Sequence, residues 1–367
     1  MIKIGIIGLP NVGKSTLFNA ITNSSVEAEN YPFATIDPNI SIIEIKDKRV
    51  DFLADTYKSK IKKYNKIQFF DIAGLVKNAH KGEGLGNKFL NNIKEVDAII
   101  HLIRGFSDEK IIHVEKNLNP LRDLKIINLE LIFSDLEQTE NWLNRNKKKS
   151  SSSPNNKEDQ ELVALMRKVK SLLEREVFLF EHFFTEQEEK ILKGFNFLTL
   201  KPFFYVINIS EEELINGLNN ETKDFISNYL IKNNLNYEII SAKFEFEISK
   251  LDEDSKKEFL NEFSLKENGL NLITEKIFKI ANMETFFTAG PKEVRAWAIK
   301  KGTFAPAAAG EIHSDIERGF IKAEVISYND FKKTPDEKIL KEKGLISLQG
   351  KDYIVKDGDI CNFKFNV

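Results

Sequence analysis

The chain has a single cysteine, Cys361, so no disulfide can close within it, and it suits a reducing compartment. Cys361 lies in an apolar-alternating stretch and reads as a small core residue. There is no marked excess of charge. Lys and Arg number 54 against 56 Asp and Glu, for a net charge of −2. That excludes a polycation that coats nucleic acid without selectivity, so any such contact must come from a local patch. No apolar run approaches the roughly 20 residues that span a bilayer. Met1–Gly8 is apolar but too short for a secretory signal. A cytoplasmic location with no membrane partner is the most economical expectation. Hydrophobic residues at 41% and charged residues at 30% are ordinary for a soluble globular chain. A length of 367 residues predicts two or three domains.

Short apolar runs mark the strands. Residues 2–7, 38–46, 66–71, 96–103, 202–208 and 237–241 read as strands separated by helical stretches. The run at 96–103 is nearly continuous, as in a parallel sheet covered on both faces. This predicts a doubly wound α/β domain. Helical spacing recurs at Leu129, Ile132, Leu136 and Leu143, and again at Leu162, Leu165, Val169 and Leu172. Between these stretches lies a polar tip, residues 144–159. The pattern predicts an antiparallel helical hairpin with coiled-coil-like packing, inserted as an arm over 128–198. Beyond Ala281 short apolar runs alternate with Gly and Pro, which predicts a small α+β domain over 283–367. Residues 1–127 and 199–282 are then left for the α/β domain. In the last domain Phe286, Phe287, Trp297 and Phe304 read as core.

Gly8-Leu9-Pro10-Asn11-Val12-Gly13-Lys14-Ser15 fits the phosphate-binding pattern G-x-x-x-x-G-K-[ST], after a predicted strand and before a predicted helix. The glycines let the backbone curl so that the N–H groups of Asn11 to Thr16 point at phosphate oxygens. Lys14 brings a point charge to the β and γ phosphates, and the Ser15 hydroxyl suits Mg²⁺. Asp71, closing an apolar strand, is placed to hold Mg²⁺ through water, and Gly74 to sense the γ-phosphate through its N–H. Thr35, between the two motifs, is the candidate to complete the Mg²⁺ shell. The position that carries a water-orienting glutamine in Ras-like GTPases is Leu75, which makes no hydrogen bonds. Either hydrolysis is slow or another group orients the water; His113 and His80, each in a loop, are the candidates, and each also reads as a structural or solvated residue.

Guanine is read by N-K-x-D after a strand. Asn156-Lys157-Glu158-Asp159 matches the string but lies in the polar arm tip with no strand before it, so it is rejected. After the apolar strand at 202–208 comes Asn208-Ile209-Ser210-Glu211. Lysine is absent there and Asp is lengthened to Glu, so the carboxylate is displaced from where a guanine-reading Asp presents it. ATP is therefore the leading substrate. Ser241-Ala242-Lys243, after the next strand, reads as the loop that packs on the base.

The stretches at 8–20, 30–39 and 71–90, together with N-x-x-E at 208–211, resemble the Obg-like ATPase family, the YchF group. Residues 285–299, 308–326 and 350–366 resemble its TGS domain. The resemblance covers essentially the whole chain. It implies a Ras-like P-loop core, an inserted antiparallel coiled-coil arm and a C-terminal β-grasp (TGS) domain. It implies ATP hydrolysis with ATP preferred over GTP, and a hydrophobic residue at the glutamine position, as Leu75 is. The catalytic histidine it implies lies in I-I-H-V, which singles out His113 beside Lys14. Asn11 resembles asparagines that hold K⁺ beside the phosphates. A monomer that binds the ribosome, through RNA or protein of the large subunit, in translation or stress regulation is the implied setting.

Within 141–175 nine Lys/Arg stand against four acids, a local excess that suits phosphate backbone. It equally suits a solvated helical face. Two other functions stay open on the residues alone. One is a GTPase that tolerates N-x-x-E. The other is a nucleotide-regulated RNA- or ribosome-binding module whose turnover is incidental, which Leu75 favours.

Overall fold

A computed structural model of the chain describes residues 1–24, 39–72, 85–108, 111, 117–152 and 157–366, with backbone alone at 85–88 and 147–152. It divides into two compact units, Ile2–Ile42 with Gln68–Leu272, and Ile43–Ile67 with Ile273–Val367.

In chain order the first half runs β1 (Ile2–Ile7), α1 (Lys14–Asn23), β2 (Ile40–Ile45), α2 (Lys48–Tyr57), β3 (Ile61–Lys63), β4 (Asn65–Asp71), α3 (Leu85–Lys94) and β5 (Ala98–Arg104). The arm helices α4 (Pro120–Ser152) and α5 (Lys157–Glu174) follow, then α6 (Glu186–Leu192), β6 (Phe203–Asn208), α7 (Glu211–Asn216), α8 (Asn220–Phe225) and β7 (Tyr237–Ile240). Next come α9 (Ala242–Ile248), α10 (Glu253–Glu262) and α11 (Gly269–Ile280). The last strands are β8 (Met283–Ala289), β9 (Glu293–Lys300), β10 (Phe320–Ser327), β11 (Ser347–Gln349) and β12 (Asp359–Phe365).

The first sheet has the order β2-β4-β1-β5-β6-β7. β1, β5, β6 and β7 run parallel. Every residue of β5 and β6 is buried, which is why their sequences are apolar without alternation. After β1 the chain crosses to β2 at one edge and returns through β4, whereas after β5 it builds out through β6 and β7 on the other side. The loops at the carboxyl ends of β1 and β5 thus flank a topological switch point, where open α/β sheets bind ligands.

α4 begins at Pro120, ahead of the boundary expected at 128, because Leu124 and Ile127 continue the same apolar face that buries Leu131 and Ile132. Its helical backbone also runs on through Ser152, so residues 144–152 are helix where a polar tip was expected. α5 ends at Glu174, and Glu176 takes a left-handed φ of 58°. Asp135 of α4 is fully buried. It accepts hydrogen bonds from Leu198 N at 2.9 Å, Thr199 N at 2.8 Å and Thr199 Oγ1 at 2.7 Å, which fixes the base of the arm to the segment entering β6.

The second sheet has the order β11-β10-β12-β8-β9-β3. β3, from the first sixth of the chain, pairs parallel with β9. α2 buries Val50, Leu53 and Ala54 among Phe287, Val294, Ala296 and Phe331. Arg49 pairs with Asp357 at 2.7 Å, and Tyr57 donates to Glu337 at 2.5 Å. Residues 43–67, assigned by sequence to the nucleotide domain, therefore belong to this unit. Phe286 and Phe287 are core as expected and Trp297 is half-buried, but Phe304 is 50% exposed and is corrected from core to surface. Cys361 is buried. Among the described residues, no helix is long and apolar enough to cross a membrane.

Candidate functional site

The loops that follow β1, β5, β6 and β7 line one cavity of about 770 Å³. The first loop enters it by steric necessity. A Cβ on Gly8 would lie 2.7 Å from Leu102 O and 2.8 Å from Val12 Cγ2. Gly13 holds φ at 95°, and a Cβ there would fall 2.2 Å from Asn208 Nδ2. Asn11 also has positive φ, 63°, a conformation that Asn tolerates better than most residues. Helix α1 then opens. Its first intrahelical bond runs from Leu17 N to Gly13 O, at 2.9 Å, so the N–H groups of Lys14, Ser15 and Thr16 are free of the helix ladder. A helix N-terminus with free N–H groups attracts anions.

Lys14 pairs with Asp71, which closes β4. A lysine at the N-terminus of α1 and the carboxylate that closes β4 are thus brought to one place. Ser15 lines the same cavity. Serine and carboxylate oxygens are hard donors and fit Mg²⁺, which favours oxygen ligands and keeps part of its water. Val12, expected in the site, is buried in the core and is not among the residues that line the cavity.

Asn208 ties three loops together. Its Nδ2 donates to Val12 O at 2.8 Å, its Oδ1 accepts from Ala242 N at 2.8 Å, and its carbonyl accepts from Gly105 N at 2.8 Å. The side chain is buried, so these bonds are strong determinants of loop position. Ser241 caps α9 by accepting from Phe244 N at 3.4 Å. Ser210 caps α7 in a capping box with Glu213, which sets the backbone of Glu211. The Glu211 carboxylate then pairs with Lys243 at the start of α9. That ion pair draws the Lys243 ammonium above its ordinary pKa.

Sequence reading missed Arg104. It is buried at the end of β5, and its guanidinium donates to Phe106 O at 3.1 Å, Asp108 O at 3.3 Å and Ile111 O at 3.1 Å. Phe106, Asp108 and Ile111 all line the cavity, so Arg104 shapes that wall. The only signal in the sequence was a charged residue closing an apolar strand. Lys243 was noted only as part of a loop motif, because its partner lies in another loop.

The structure thus gathers Asn11, Gly13, Lys14, Ser15, Thr16, Asn208, Glu211, Ser241 and Ala242 around one cavity, with Asp71 beside Lys14. Thr35, Gly74, Leu75, His80 and His113 lie outside the described residues. Lys157–Asp159 of the rejected N-K-x-D string open α5 in the arm, away from any strand end. His101, buried in β5, is held neutral by desolvation, which pushes its pKa down to about 3, so it is a structural residue.

A family model described as 50S ribosome-binding GTPase matches residues 3–134. The YchF-GTPase C-terminal family model, described as a protein of unknown function, matches residues 283–366. The ribosome-binding ATPase YchF of Bacillus subtilis is 44% identical over 366 residues, covering 99% of both chains. That of Mycoplasma genitalium is 45% identical over 369 residues, covering 100% of both. Among solved structures, the YchF GTPase of Schizosaccharomyces pombe superposes with a TM-score of 0.89 at 36% identity, covering 99% of this chain and 97% of that one. A GTP binding protein from Pyrococcus horikoshii OT3 matches at a TM-score of 0.60 and 16% identity over both full lengths, a likeness of fold.

Proposed function

Because this chain belongs to the YchF family, we propose that it hydrolyses ATP in preference to GTP and uses that cycle to control binding to the ribosome. The triphosphate lies across the N-terminus of α1, with its phosphate oxygens on the N–H groups of Gly13 to Thr16. Lys14, now paired with Asp71, turns its ammonium to the β and γ phosphates. Ser15 and Asp71, together with Thr35, would hold Mg²⁺, and Asn11 would hold K⁺. A Mg²⁺ held there would supply positive charge to offset that of the phosphates. Gly74 senses the γ-phosphate. His113 orients the attacking water in place of the glutamine that Leu75 replaces.

The base assignment rests on how the cavity wall spends its hydrogen bonds. A guanine O6 needs a donor, and the N–H of Ala242 is already given to Asn208 Oδ1 at 2.8 Å. A guanine N1–H and 2-amino group need a free carboxylate, and that of Glu211 is paired with Lys243. Both features favour adenine.

Ribosome binding is supported by the similarity to the ribosome-binding ATPases of Bacillus subtilis and Mycoplasma genitalium and by the 50S family model. The positively charged arm is the surface that suits ribosomal RNA, and the C-terminal domain is the second. We place the protein in the cytoplasm as a monomer.

The test is phosphate release from ATP by the purified chain and by two variants. Lys14→Ala should abolish turnover, and His113→Ala should lower it by about 10²-fold or more while leaving ATP binding near wild type. Turnover unchanged in Lys14→Ala would remove the assigned site, and turnover unchanged in His113→Ala would remove that residue's role. Leu75 favours slow hydrolysis. A chain that binds ATP without measurable turnover would instead be a nucleotide-regulated binding module.

A further inference from the structure

We propose that Lys243 is a specificity-determining residue: paired with Glu211, its ammonium converts an acid that suits guanine into a donor–acceptor pair that fits the pairing edge of adenine. The inference rests on the ATP reading above and names the residue responsible for it.

Guanine presents one acceptor, O6, beside two donors, N1–H and the 2-amino group. A free carboxylate with two acceptor oxygens matches those donors. Adenine presents a donor, the 6-amino group, beside an acceptor, N1. A carboxylate alone can satisfy the amino group but repels N1. A carboxylate with an ammonium beside it supplies one acceptor and one donor. The Lys243 ammonium has three hydrogens and gives one to Glu211 Oε2, so two remain for a base. Glu211 Oε1 then accepts from the 6-amino group while Lys243 Nζ donates to N1. Presented with guanine in the same pose, the pair sets ammonium against N1–H and carboxylate against O6. Both contacts are repulsive, and such contacts discriminate against a competing ligand more sharply than lost attraction does.

The local structure holds the pair in place. Ser210 and Glu213 close the capping box at the start of α7, which fixes the backbone of Glu211 in the first turn. Asn208 fixes the other side by accepting the N–H of Ala242, one residue before Lys243. Both residues line the cavity whose phosphate end is the loop after β1. Among the described residues, Lys243 is the one side-chain partner of the Glu211 carboxylate. Lys243 is raised toward the charged state first by that hydrogen bond and then by the Glu211 charge itself.

The experiment is calorimetric titration of the full chain with non-hydrolysable ATP and GTP analogues in Mg²⁺. Wild type is compared with Lys243→Met, Glu211→Gln and the double variant. The Lys243 side chain is 72% exposed, and Met keeps its stem, so the fold is preserved; circular dichroism checks this. The ratio of ATP to GTP affinity should fall by roughly tenfold or more in Lys243→Met, with much of the change from tighter GTP binding. The double variant should show strong coupling between the two positions. A ratio in Lys243→Met within twofold of wild type, or an equal loss for both nucleotides, would overturn the inference. The wild-type ratio tests the ATP reading by itself: a wild type that prefers GTP would sink both, whereas a wild type that prefers ATP with an unchanged Lys243→Met ratio would sink only this inference.

Discussion

Replacing Asn208 with alanine should disconnect the phosphate loop from the base loop. The side chain is 5% exposed and makes two bonds of 2.8 Å, to Val12 O and from Ala242 N. Alanine leaves that carbonyl and that N–H without protein partners. Each buried polar group left unpaired costs about 1–3 kcal/mol. The cavity is open enough for water to relieve part of this, so the total should be near the lower end, about 2–4 kcal/mol. The cost divides between the stability of the unit and its affinity for nucleotide, because the phosphate N–H groups are aimed by the same loop. If half of it falls on binding, ATP affinity drops by about 5- to 30-fold. Asn208→Asp is the informative companion. Its volume is nearly unchanged and it can still accept from Ala242 N, but it sets a carboxylate oxygen against Val12 O. It should therefore bind ATP no better than alanine does. Calorimetric titration with Mg²⁺–ATP and a thermal melt of each variant give both parts of the cost. Binding within threefold of wild type for both variants, with unchanged melting, would refute the assignment of Asn208 as the strut of the site.

Gly13→Ala should weaken nucleotide binding at least tenfold and lower the melting temperature, since its Cβ would lie 2.2 Å from Asn208 Nδ2 at a φ of 95°; a stable variant with normal titration would contradict this. Arg104→Met keeps a long apolar stem but loses the three bonds to Phe106, Asp108 and Ile111 carbonyls, so the KM for ATP should rise about tenfold with circular dichroism unchanged. Arg104→Lys should not restore it, because an ammonium lacks the forked donors; full rescue by Lys would contradict the role of the fork. Glu245 is buried, and desolvation pushes its carboxyl up from 4.5 to about 7, although the N–H groups of Gly269 and Leu270 pull the other way. Because the folded value is the higher one, its stabilising contribution is complete below pH 4.5 and is lost as pH rises through about 7. The loss amounts to about 3 kcal/mol, and Glu245→Gln should remove this dependence, read as the difference between the two proteins in urea midpoint at pH 5 and pH 8. Equal pH slopes would contradict it.

The parts of this protein legible in its sequence are those in which a local rule admits few residues. Gly8 and Gly13 stand where the structure has no room for a Cβ, and Lys14 and Ser15 follow directly as the first residues of α1. β5 and β6 were readable because a strand buried on both faces has no reason to alternate. Less legible were features fixed by residues far apart in the chain. The helix and strand at 48–63 look like any short polar segment, and their partners, Phe287, Glu293 and Asp357, lie more than two hundred positions later. The ion pair of Lys243 with Glu211 links two loops that only the β6–β7 pairing brings together. Arg104 carries no motif, and its role is visible only in the carbonyls it gathers. Phe304 shows the converse limit, since an aromatic side chain does not announce whether the fold will cover it.

The most direct measurement is steady-state hydrolysis of ATP and of GTP by the wild-type chain, in Mg²⁺ with K⁺ present. The ratio of their kcat/KM values is the quantity that decides. The account predicts ATP ahead by roughly tenfold or more, from the occupied Ala242 N–H and the paired Glu211. Equal values, or GTP ahead, would contradict it and return this site to the guanine-reading class.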